Sequence, residues 1–384
     1  MNKRILFVGG YPNEADKNLY VFFKNLIYAL ADSGVECHVI SPVSVTKYKL
    51  SVKEIPRKKI EKTFLGSEVY VYHPRYISAS HKQIGSFDTM RITHKNYLRI
   101  SLKEAKKIGL RFDAAYGHFF FSGGLAAANI GKKLGIPSFI AYGESNYKID
   151  VLGKGVPFGR KNLKSLAGII AVSSKNFDEL RSVSLYDDVP VVTCPNAIDL
   201  SLFPEYNKEE CREYFGIPKD DFVVGFVGGF SERKGDKRVL EACKDLDGVS
   251  LAFAGYGDPP VGENVVFCES VEHNEIGKFL SCLDVFVLPT LNEGCCNAIL
   301  EAMASGCAIV SSALPFNDDI IDDTNSIKIN PSSIDEIRAA VVRLKSDDEF
   351  RLSIAKKAKE DSHNFTIEKR AEKILGFMNS FMKK

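Results

Sequence analysis

The fold is decided by the stretch VFVLPTLNEGCCNAILEAMASGCAIVS, residues 285–311. Its apolar beginning, Val285–Leu288, is predicted as a buried strand that a proline ends. After a polar loop, Asn297–Ser305 has the apolar spacing of a helix, and a glycine follows it. Ala308–Ser311 is predicted as a second strand. A strand, a helix and a strand over so short a distance predict a βαβ unit with parallel strands.

The same alternation extends along most of the chain. In the first half we predict strands at Arg4–Val8, Cys37–Ser41, Glu68–Tyr72, Ala114–Tyr116, Phe139–Tyr142, Ile169–Val172 and Val191–Thr193. The helices between them are clearest at Ile92–Ile108 and Ser122–Leu134. The second half repeats the plan, with a nearly all-helical tail from Ile334 and strands at Val223–Val227, Ser250–Ala254, Val265–Phe267 and Ile327–Ile329. This pattern indicates an α/β fold with parallel sheets covered by helices on both faces.

A length of 384 residues fits two such units. We predict two Rossmann-like, doubly wound domains, over residues 1–197 and 198–365, with the linker in Cys194–Pro204. Open parallel sheets bind ligands at the carboxyl ends of their strands. We therefore expect the two domains to face each other across a cleft that is lined by the loops at those ends.

Composition excludes several other classes of protein. Hydrophobic residues make up 45% and charged residues 26%, which excludes disorder, collagen and coiled coil as the main architecture. Nine cysteines without a CxxC motif indicate a reduced, cytoplasmic chain rather than a disulfide scaffold. Neither a signal peptide nor a membrane span is predicted, so we expect a soluble or at most peripheral protein.

A glycine-rich turn, GGFSERKG at residues 228–235, lies between a predicted strand and a predicted helix. Glycines let a backbone approach a ligand closely, and Arg233 and Lys234 add donors and positive charge for phosphate oxygens. The spacing is neither the Walker pattern nor GxGxxG. Taken alone, this sequence is equally consistent with a phosphate-binding turn and with an ordinary solvent-exposed turn.

The loop and helix of the opening stretch form a second candidate site. Asn297 is predicted to cap the helix, which would leave the backbone N–H groups of Gly294–Asn297 available to an anion. Glu293 precedes these amides, and Glu301 lies about one turn inside the helix. Carboxylates would repel a diphosphate but accept hydrogen bonds from sugar or ribose hydroxyls. The alternative for Glu301 is compensation of the helix dipole.

Four segments together carry a family resemblance. EGCCNAILEAMASG, in which seven residues separate Glu293 from Glu301, resembles the EX7E signature of the family-four retaining glycosyltransferases of bacterial polysaccharide and glycolipid type. FVGGFSERKGDKRVLEA resembles that family's diphosphate-binding turn, PNAIDLSLF its linker, and the Gly9-Gly10 loop its N-terminal glycine loop. The resemblance implies the GT-B fold, with an N-terminal acceptor domain and a C-terminal nucleotide-sugar donor domain. It also leads us to expect that the last helix, about residues 366–384, packs back on the first domain.

The resemblance implies a role for each matching residue. Glu301 would bind the donor ribose, Glu293 the transferred sugar, and Lys234 with Arg233 the leaving diphosphate. The further donor-binding residues are Gly294, Cys295, Cys296, Asn297, Gly229, Gly9 and Gly10. The catalytic set is Glu293, Lys234, Arg233 and His118.

His118 follows a predicted strand and matches a family histidine near the reacting sugar; its alternative is a satisfied core histidine. The chain departs from the family at Gly229, where Arg is common, and at Cys296, where Pro is common. Cys307-Ala308 replaces a frequent small-residue–Pro pair. In this interpretation Arg233 takes over the charge that is missing at Gly229.

No metal or other cofactor is expected. The sequence has no Asp-x-Asp and no His/Cys set with zinc spacing. Phosphate charge would then be handled by the two cations and the helix amides. A redox role for the adjacent Cys295 and Cys296 is the minor alternative.

Positive charge is concentrated in the first half of the chain. Residues 1–199 hold 29 Lys and Arg against 17 Asp and Glu, whereas the remainder holds 22 against 32. The excess lies mainly in residues 46–62 and 80–111, which favours attraction to an anionic membrane surface. The alternative is an ordinary solvated face. Nucleic acid is not expected as a partner, because no basic motif with interleaved aromatic residues accompanies the charge.

The sequence thus predicts a hexosyltransferase-type glycosyltransferase that retains anomeric configuration. It would move a sugar from a UDP- or GDP-sugar to a glycan or lipid-linked glycan in cell-surface polysaccharide biosynthesis, in the cytoplasm or peripherally on the inner face of the membrane. The alternatives are a nucleotide-sugar epimerase of the same fold, a non-catalytic nucleotide-sugar or glycan-binding protein, and an NAD-dependent enzyme. The missing GxGxxG, and Ser41-Pro42 where an acidic residue would follow the second strand, argue against NAD.

Overall fold

A computed structural model describes residues 3–17, 19–79, 82–84, 87–144, 166–182 and 188–382. Its contacts divide the chain into two compact units. Unit 1 consists of residues 1–194 and 367–384, and unit 2 of residues 195–366. Each unit has its own mainly parallel sheet and its own hydrophobic core.

The main sheet of unit 1 has eight strands. The strands described here are β1 (Arg4–Val8), β2 (Glu36–Ile40), β3 (Val43–Ser44), β4 (Lys58–Lys62), β5 (Glu68–Tyr72), β6 (Arg75–Tyr76), β7 (Gln83–Ile84), β8 (Phe87–Asp88), β9 (Ala114–His118), β10 (Ser138–Tyr142), β11 (Gly168–Ala171) and β12 (Val191–Thr193). The main sheet runs β12-β11-β10-β9-β1-β2-β5-β4 and is parallel except for β4. Two small sheets pair β3 with β6 and β7 with β8.

Helices cover this sheet because their apolar residues recur at helical spacing. Within the described residues before 194, the α-helices are α1 (Val21–Asp32), α2 (Val45–Tyr48), α3 (Met90–Ile108), α4 (Leu125–Leu134) and α5 (Ser174–Arg181). In α1 the buried side chains Phe23, Leu26, Ile27 and Leu30 lie on one face. The helix predicted from Ser122 begins three residues later, because Ser122 has a positive φ of 65° and interrupts the helical backbone.

Unit 2 repeats the plan with a fully parallel sheet. Its strands are β13 (Phe222–Val227), β14 (Val249–Ala254), β15 (Val265–Glu269), β16 (Val285–Leu288), β17 (Ala308–Ser312) and β18 (Ile327–Ile329), in the order β15-β14-β13-β16-β17-β18. Its helices are α6 (Lys208–Phe215), α7 (Asp236–Cys243), α8 (Ile276–Ser281), α9 (Asn297–Ser305), α10 (Ile334–Ser346) and α11 (Asp348–Ser362). Because β13 and β16 are neighbours, the loops that follow them lie side by side.

The chain then returns to unit 1 through α12 (Ile367–Asn379), which packs against α1. The rings of Phe377 and Phe381 meet Phe139 of β10 edge to face, with centroids 6.0 and 5.8 Å away. The buried Arg370 donates a hydrogen bond to the carbonyl of Cys194 at 2.7 Å. Among the described helices, none is long and apolar enough to cross a lipid bilayer.

Strand β4 was not predicted as a strand, and it carries a buried carboxylate that anchors the loop after β1. Glu61 accepts hydrogen bonds from the hydroxyls of Tyr11 at 2.8 Å and Tyr28 at 2.9 Å, and its other oxygen lies 2.9 Å from the ammonium of Lys59. Burial raises the pKa of Glu61, but these donors and Lys24 outweigh it, so the pKa lies below its ordinary value. The carboxylate therefore fixes Tyr11, which directly follows Gly9-Gly10.

We expect Tyr11→Phe to lower the free energy of unfolding by about 1–2 kcal/mol, because it removes one donor from a buried carboxylate. Urea unfolding followed by circular dichroism measures this. Tyr70→Phe is the matched control, since Tyr70 donates to the exposed Glu68 at 2.7 Å and should cost much less. Equal losses in the two variants would contradict the anchoring role of Glu61.

Candidate active site

The glycine-rich turn after β13 is held firmly against the loop after β14. Gly228 adopts φ +151°, a conformation that L side chains rarely adopt, and its N–H donates to the carbonyl of Ala254 at 3.0 Å. The N–H of Phe230 donates to the carbonyl of Tyr256 at 2.8 Å. The N–H of Ser231 donates to the carboxylate of Asp236 at 2.7 Å. These bonds fix the turn on which Arg233 and Lys234 stand.

Glu293 of the loop after β16 meets both of these cations. The ammonium of Lys234 lies 2.7 Å from Oε1 of Glu293, and the guanidinium of Arg233 contacts the same oxygen. The Lys234 and Glu293 side chains are only 16% and 15% exposed, so water screens this pair weakly. Backbone bonds join the two loops as well, since the N–H of Leu291 donates to the carbonyl of Arg233 at 2.8 Å.

The charges of this cluster stabilise the protonated form of Lys234. Burial lowers the pKa of Lys234, but the negative charges of Cys296, when ionised, and of Glu293 outweigh it, so the pKa lies above its ordinary value. Burial also raises the pKa of the Cys296 thiol. At neutral pH the cluster therefore holds two cations around one carboxylate, with Cys296 as a neutral thiol.

The span of α9 agrees with the prediction, but its capping does not. Asn297 is the first helical residue, and Cys296 occupies the N-cap position without a side-chain capping bond. Instead of capping, the side-chain oxygen of Asn297 accepts a hydrogen bond from Asn196 at 2.8 Å, and the N–H of Asn196 donates to Sγ of Cys295 at 3.3 Å. The predicted cap was wrong because this contact with the segment after β12 engages the amide side chain. The first N–H groups of α9 still have no acceptor within the helix.

Glu301 is the middle residue of α9, and the charges of the same cluster act on its carboxyl group. Burial raises the pKa of Glu301, and the positive charges of His273, when protonated, and of Lys234 act in the opposite direction. The structure thus brings Glu293, Lys234 and Arg233 into direct contact, with Gly294–Asn297 adjoining them and Glu301 within electrostatic reach of Lys234.

Several residues at this site were missed by the sequence analysis. The buried Thr290 bonds through its hydroxyl to the carbonyl of Arg233 at 3.3 Å and reaches Oε1 of Glu293 at 3.5 Å. Tyr256 is 78% exposed, and its ring would lie 3.5 Å from a Cβ placed on Gly229. The expectation that ligands bind at the carboxyl ends of the strands includes the loop after Ala254, but it did not single out Tyr256.

Unit 1 brings Gly9, Gly10 and His118 together at the carboxyl ends of β1 and β9. A Cβ on Gly9 would lie 2.9 Å from the ring of Phe23 and 3.2 Å from His118, and one on Gly10 would overlap the ring of Tyr20. Close packing against aromatic rings therefore already requires these glycines, whatever ligand approaches them.

His118 is buried among aromatic rings. Its imidazole stacks on Phe23 with centroids 4.5 Å apart, and its Nδ1 has no hydrogen-bond partner in the part of the chain that is described. Burial, with the charge of Arg370, lowers the pKa of His118 to about 3. The side chain is therefore neutral in the folded protein at physiological pH.

The neutral His118 makes unfolding pH-dependent. Because its pKa is lower in the folded state, the contribution is complete above the ordinary value near 6.5 and is lost as pH falls toward about 3. We expect His118 to account for about 2 kcal/mol of the loss of unfolding free energy at pH 5. Urea titrations at pH 8 and pH 5 should show a shallower pH dependence in His118→Gln, whereas the exposed control His363→Gln should behave like the original chain. An unchanged slope in His118→Gln would contradict the burial argument.

Unit 2 also contains a cavity of about 450 Å³ beside strand β15. It is lined by Tyr214, Phe215, Val266, Phe267, Cys268, Glu269, Ser270, Val271 and Glu275. Its wall is partly aromatic, and the hydroxyl of Tyr214 donates to Glu275 at 2.8 Å across one side. The cavity lies at the sheet edge formed by β15.

The comparison with known proteins identifies the chemistry of this fold. The profile of the Glycosyl transferases group 1 family matches residues 207–361, which is most of unit 2. Unit 2 is therefore a group 1 glycosyltransferase domain. The predicted family is thereby confirmed, as is an enzyme of hexosyltransferase type.

Bacterial glycosyltransferases are similar to this chain over different lengths. TuaC of Bacillus subtilis (strain 168), assigned to teichuronic acid biosynthesis as a glycosyltransferase, is 26% identical over 310 residues, which cover 77% of this chain and 76% of TuaC. The UDP-Gal:alpha-D-GlcNAc-diphosphoundecaprenol alpha-1,3-galactosyltransferase of Escherichia coli is 28% identical over 153 residues, 35% of this chain and 40% of that enzyme.

Solved structures confirm the predicted GT-B fold. Sucrose-phosphate synthase from Thermosynechococcus elongatus matches with a TM-score of 0.76 at 16% identity, covering 99% of both chains. Anabaena Alr3699/HepE in complex with UDP and glucose matches with a TM-score of 0.68 at 14% identity, covering 99% of this chain and 100% of that one. The chain therefore consists of two Rossmann-like units.

Proposed function

We propose that this glycosyltransferase moves a sugar from a nucleotide-diphosphate sugar, a UDP- or GDP-sugar, to a glycan or lipid-linked glycan with retention of anomeric configuration. The observation that carries the proposal is the meeting of Glu293, Lys234 and Arg233 where two loops of unit 2 adjoin. Two cations and a helix N-terminus suit a diphosphate, and neighbouring carboxylates suit sugar and ribose hydroxyls.

In the proposed reaction the bond between the anomeric carbon and the phosphate oxygen breaks, and a bond to the acceptor oxygen forms on the same face. The acceptor's proton passes to an oxygen of the leaving diphosphate, whose charge Lys234 and Arg233 stabilise together with the amides of Gly294–Asn297. Glu293 would hold the transferred sugar, and Glu301 the ribose. In this proposal Lys234, Arg233 and the helix amides supply the positive charge, and no metal ion or other cofactor takes part.

Donor binding would bring a rearrangement of the ion cluster. Lys234 and Arg233 share one oxygen of Glu293, so a diphosphate competes with that carboxylate for both cations. When phosphate oxygens pair with the two cations, the carboxylate of Glu293 is released. It can then accept hydrogen bonds from hydroxyls of the sugar. We place the nucleotide base near Glu269–Asn274, a segment that contributes three residues to the cavity beside β15.

The acceptor belongs to cell-surface polysaccharide biosynthesis in this proposal. The name of TuaC places it in teichuronic acid biosynthesis, and the Escherichia coli relative is named for a UDP-Gal donor and a diphosphoundecaprenol-linked acceptor. A lipid-linked acceptor would require the enzyme to work in the cytoplasm at the inner face of the membrane. Unit 1, with Gly9, Gly10 and His118, would hold the acceptor.

A donor screen tests the proposal. The protein is incubated with UDP-, GDP- and ADP-sugars, first alone and then with a bacterial lipid extract, and release of nucleoside diphosphate and the anomeric configuration of the product are measured by NMR. Slow donor hydrolysis, accelerated by the extract, with a retained product is the expected result. Interconversion of sugars without nucleotide release would instead identify an epimerase, and an inverted product would refute retention.

A further inference from the structure

The exposed face of helix α3 carries six cations and no carboxylate. At 3.6 residues per turn these side chains fall within an arc of about 160°. They are Arg91, Lys95, Arg99, Lys103, Lys106 and Lys107, and each is exposed. The opposite face packs into unit 1 through Thr93, Tyr97, Leu98, Ser101 and Ala105. We call the exposed side the α3 face.

Most of the charge of the α3 face is not compensated within the described part of the chain, although Lys107 pairs with Glu104 of the same helix at 3.7 Å. Arg91, Lys95, Arg99 and Lys103 form no ion pair there. Exposed lysines of unit 2 behave differently, as in the pairs Lys237–Asp258 at 2.6 Å, Lys219–Glu213 at 2.8 Å and Lys244–Glu241 at 2.8 Å. Like charges four residues apart destabilise a helix, so the isolated chain gains nothing from this arrangement.

Apolar side chains lie among these cations. Ile92 falls in the middle of the α3 face and is 42% exposed. Ile77, which is 61% exposed, adjoins the same face, because the side chain of Asn96 donates to the carbonyl of Ile77 at 2.9 Å. Lys82 precedes the helix, while Ser80, His81, Gly85 and Ser86 of the predicted basic segment lie outside the described residues.

We propose that the α3 face docks unit 1 on an anionic lipid bilayer. From Arg91 to Lys103 the row of cations is about 18 Å long and rigid, so several can reach a charged surface at once. The two isoleucines would enter the boundary between headgroups and acyl chains, where cations at their flanks meet anionic headgroups. A soluble polyanion or a nucleic acid has no apolar region into which the two isoleucines could insert. We therefore favour the bilayer as the partner of the α3 face.

This inference deepens the proposed function, because it names the surface through which a lipid-linked acceptor would be reached. In that respect it rests on the proposed acceptor, but docking is measured without donor or acceptor. A failed donor screen with intact docking would therefore refute the transfer proposal alone. Intact donor hydrolysis without docking would refute only the α3 face.

Vesicle co-sedimentation of the full chain tests the α3 face, with phosphatidylcholine vesicles and with vesicles that also contain phosphatidylglycerol. The combined variant Arg91→Gln, Lys95→Gln and Arg99→Gln should lower partitioning to the anionic vesicles at least tenfold, since each cation near such a surface contributes roughly fivefold. The matched control replaces Lys219, Lys237 and Lys244 of unit 2 by Gln, with the same change in net charge, and should bind like the original chain.

A second variant separates a bilayer from a soluble polyanion. Ile77→Ser with Ile92→Ser keeps every cation and should weaken vesicle binding, most visibly at high salt, while leaving any retention by heparin unchanged. Unchanged vesicle binding in the isoleucine variant, with loss of heparin retention in the cation variant, would overturn the bilayer in favour of a polyanion. Equal vesicle binding by the cation variant and its control would overturn the α3 face altogether.

Discussion

Lys234→Met is expected to lower kcat by about 10²–10³-fold, the loss typical when one preorganised group that stabilises transition-state charge is removed. Methionine keeps the length of the apolar stem, and only the charge disappears. Lys234 is 16% exposed and lies 2.7 Å from Glu293, so its ammonium is already fixed before a diphosphate arrives. The KM for the donor should change less than kcat, because negative charge on the diphosphate grows as the sugar leaves.

Single-turnover rates with a saturating donor measure this effect directly. Lys237→Met is the matched control, since Lys237 stands only three residues away, is mainly exposed and pairs with Asp258 at 2.6 Å. Its rate should stay within about threefold of the original, because an exposed pair is worth little. If Lys234→Met also stayed within that range, Lys234 would have no role in the departure of the diphosphate.

A structural role for Lys234 would give a different pattern. Were its task only to neutralise the buried Glu293, then adding Glu293→Gln to Lys234→Met would restore the rate by removing the unpaired charge. We expect no such restoration, because Glu293 is proposed to hold the sugar itself. The double variant should be at least as slow as Lys234→Met, and a recovery toward the original rate would assign the pair to stability alone.

The sequence predicted those elements whose apolar runs end at glycine or proline. Strands β1 and β5 and helix α9 have the ends that were predicted. Gly9 directly follows β1, and Gly306, which adopts φ +75°, directly follows α9, whereas Pro74 lies two residues beyond β5. The family and the GT-B fold followed from the motifs that these elements carry in order.

Two elements could not be predicted because their sequences lack such signals. In β4, Lys58–Lys62, four of five residues are charged, and the strand exists because it pairs antiparallel with β5 and directs Glu61 toward Tyr11. The bend before α4 depends on positive φ values at Phe119 and Ser122. Neither Phe nor Ser favours positive φ, so the sequence does not predict this bend. Tertiary contacts decide both cases.

Within the candidate site, topology was predictable and side-chain partners were not. Adjacent strand ends predict that residues near Lys234 and Glu293 meet although 59 positions separate them. The sequence analysis nevertheless assigned Lys234 and Arg233 to phosphate binding and Glu293 to sugar binding. In the structure these cations form ion pairs with Glu293. Likewise, the sequence predicts Asn297 as the helix cap, but in the structure its side chain accepts a hydrogen bond from Asn196 instead.

Glu301→Gln is expected to weaken the affinity for the donor nucleotide by about 10–100-fold, because a hydrogen bond from a hydroxyl to a charged group contributes about 1.5–3 kcal/mol. Glutamine keeps the shape of the side chain and removes the charge. Calorimetric titration with UDP and GDP measures the Kd. Glu241→Gln, at an exposed position of α7 paired with Lys244 at 2.8 Å, is the control and should leave the Kd unchanged.

Deoxynucleotides make the test specific for the ribose. The original chain should bind the 2′-deoxy or 3′-deoxy form of its nucleotide more weakly than the ribonucleotide, and Glu301→Gln should lose most of that discrimination. The deoxynucleotide and the Glu301→Gln variant form a double-mutant-type cycle. If the hydroxyl bonds to Glu301, either change alone removes that interaction, and the second change then has little further effect on the affinity. Equal discrimination by both proteins would show that Glu301 does not touch the hydroxyls, even if the variant binds more weakly.

The protonation of Glu301 adds a pH dependence whose sign follows from its surroundings. Burial raises the pKa of Glu301, although His273 and Lys234 act against it, so protonation begins at a higher pH than for an ordinary glutamate. As pH falls through that raised pKa, the carboxylate loses the charge that strengthens its bonds to hydroxyls, and nucleotide affinity should decline. Glu301→Gln cannot titrate, so its affinity should lack this decline. A decline of equal size in the variant would place the titrating group elsewhere in the site.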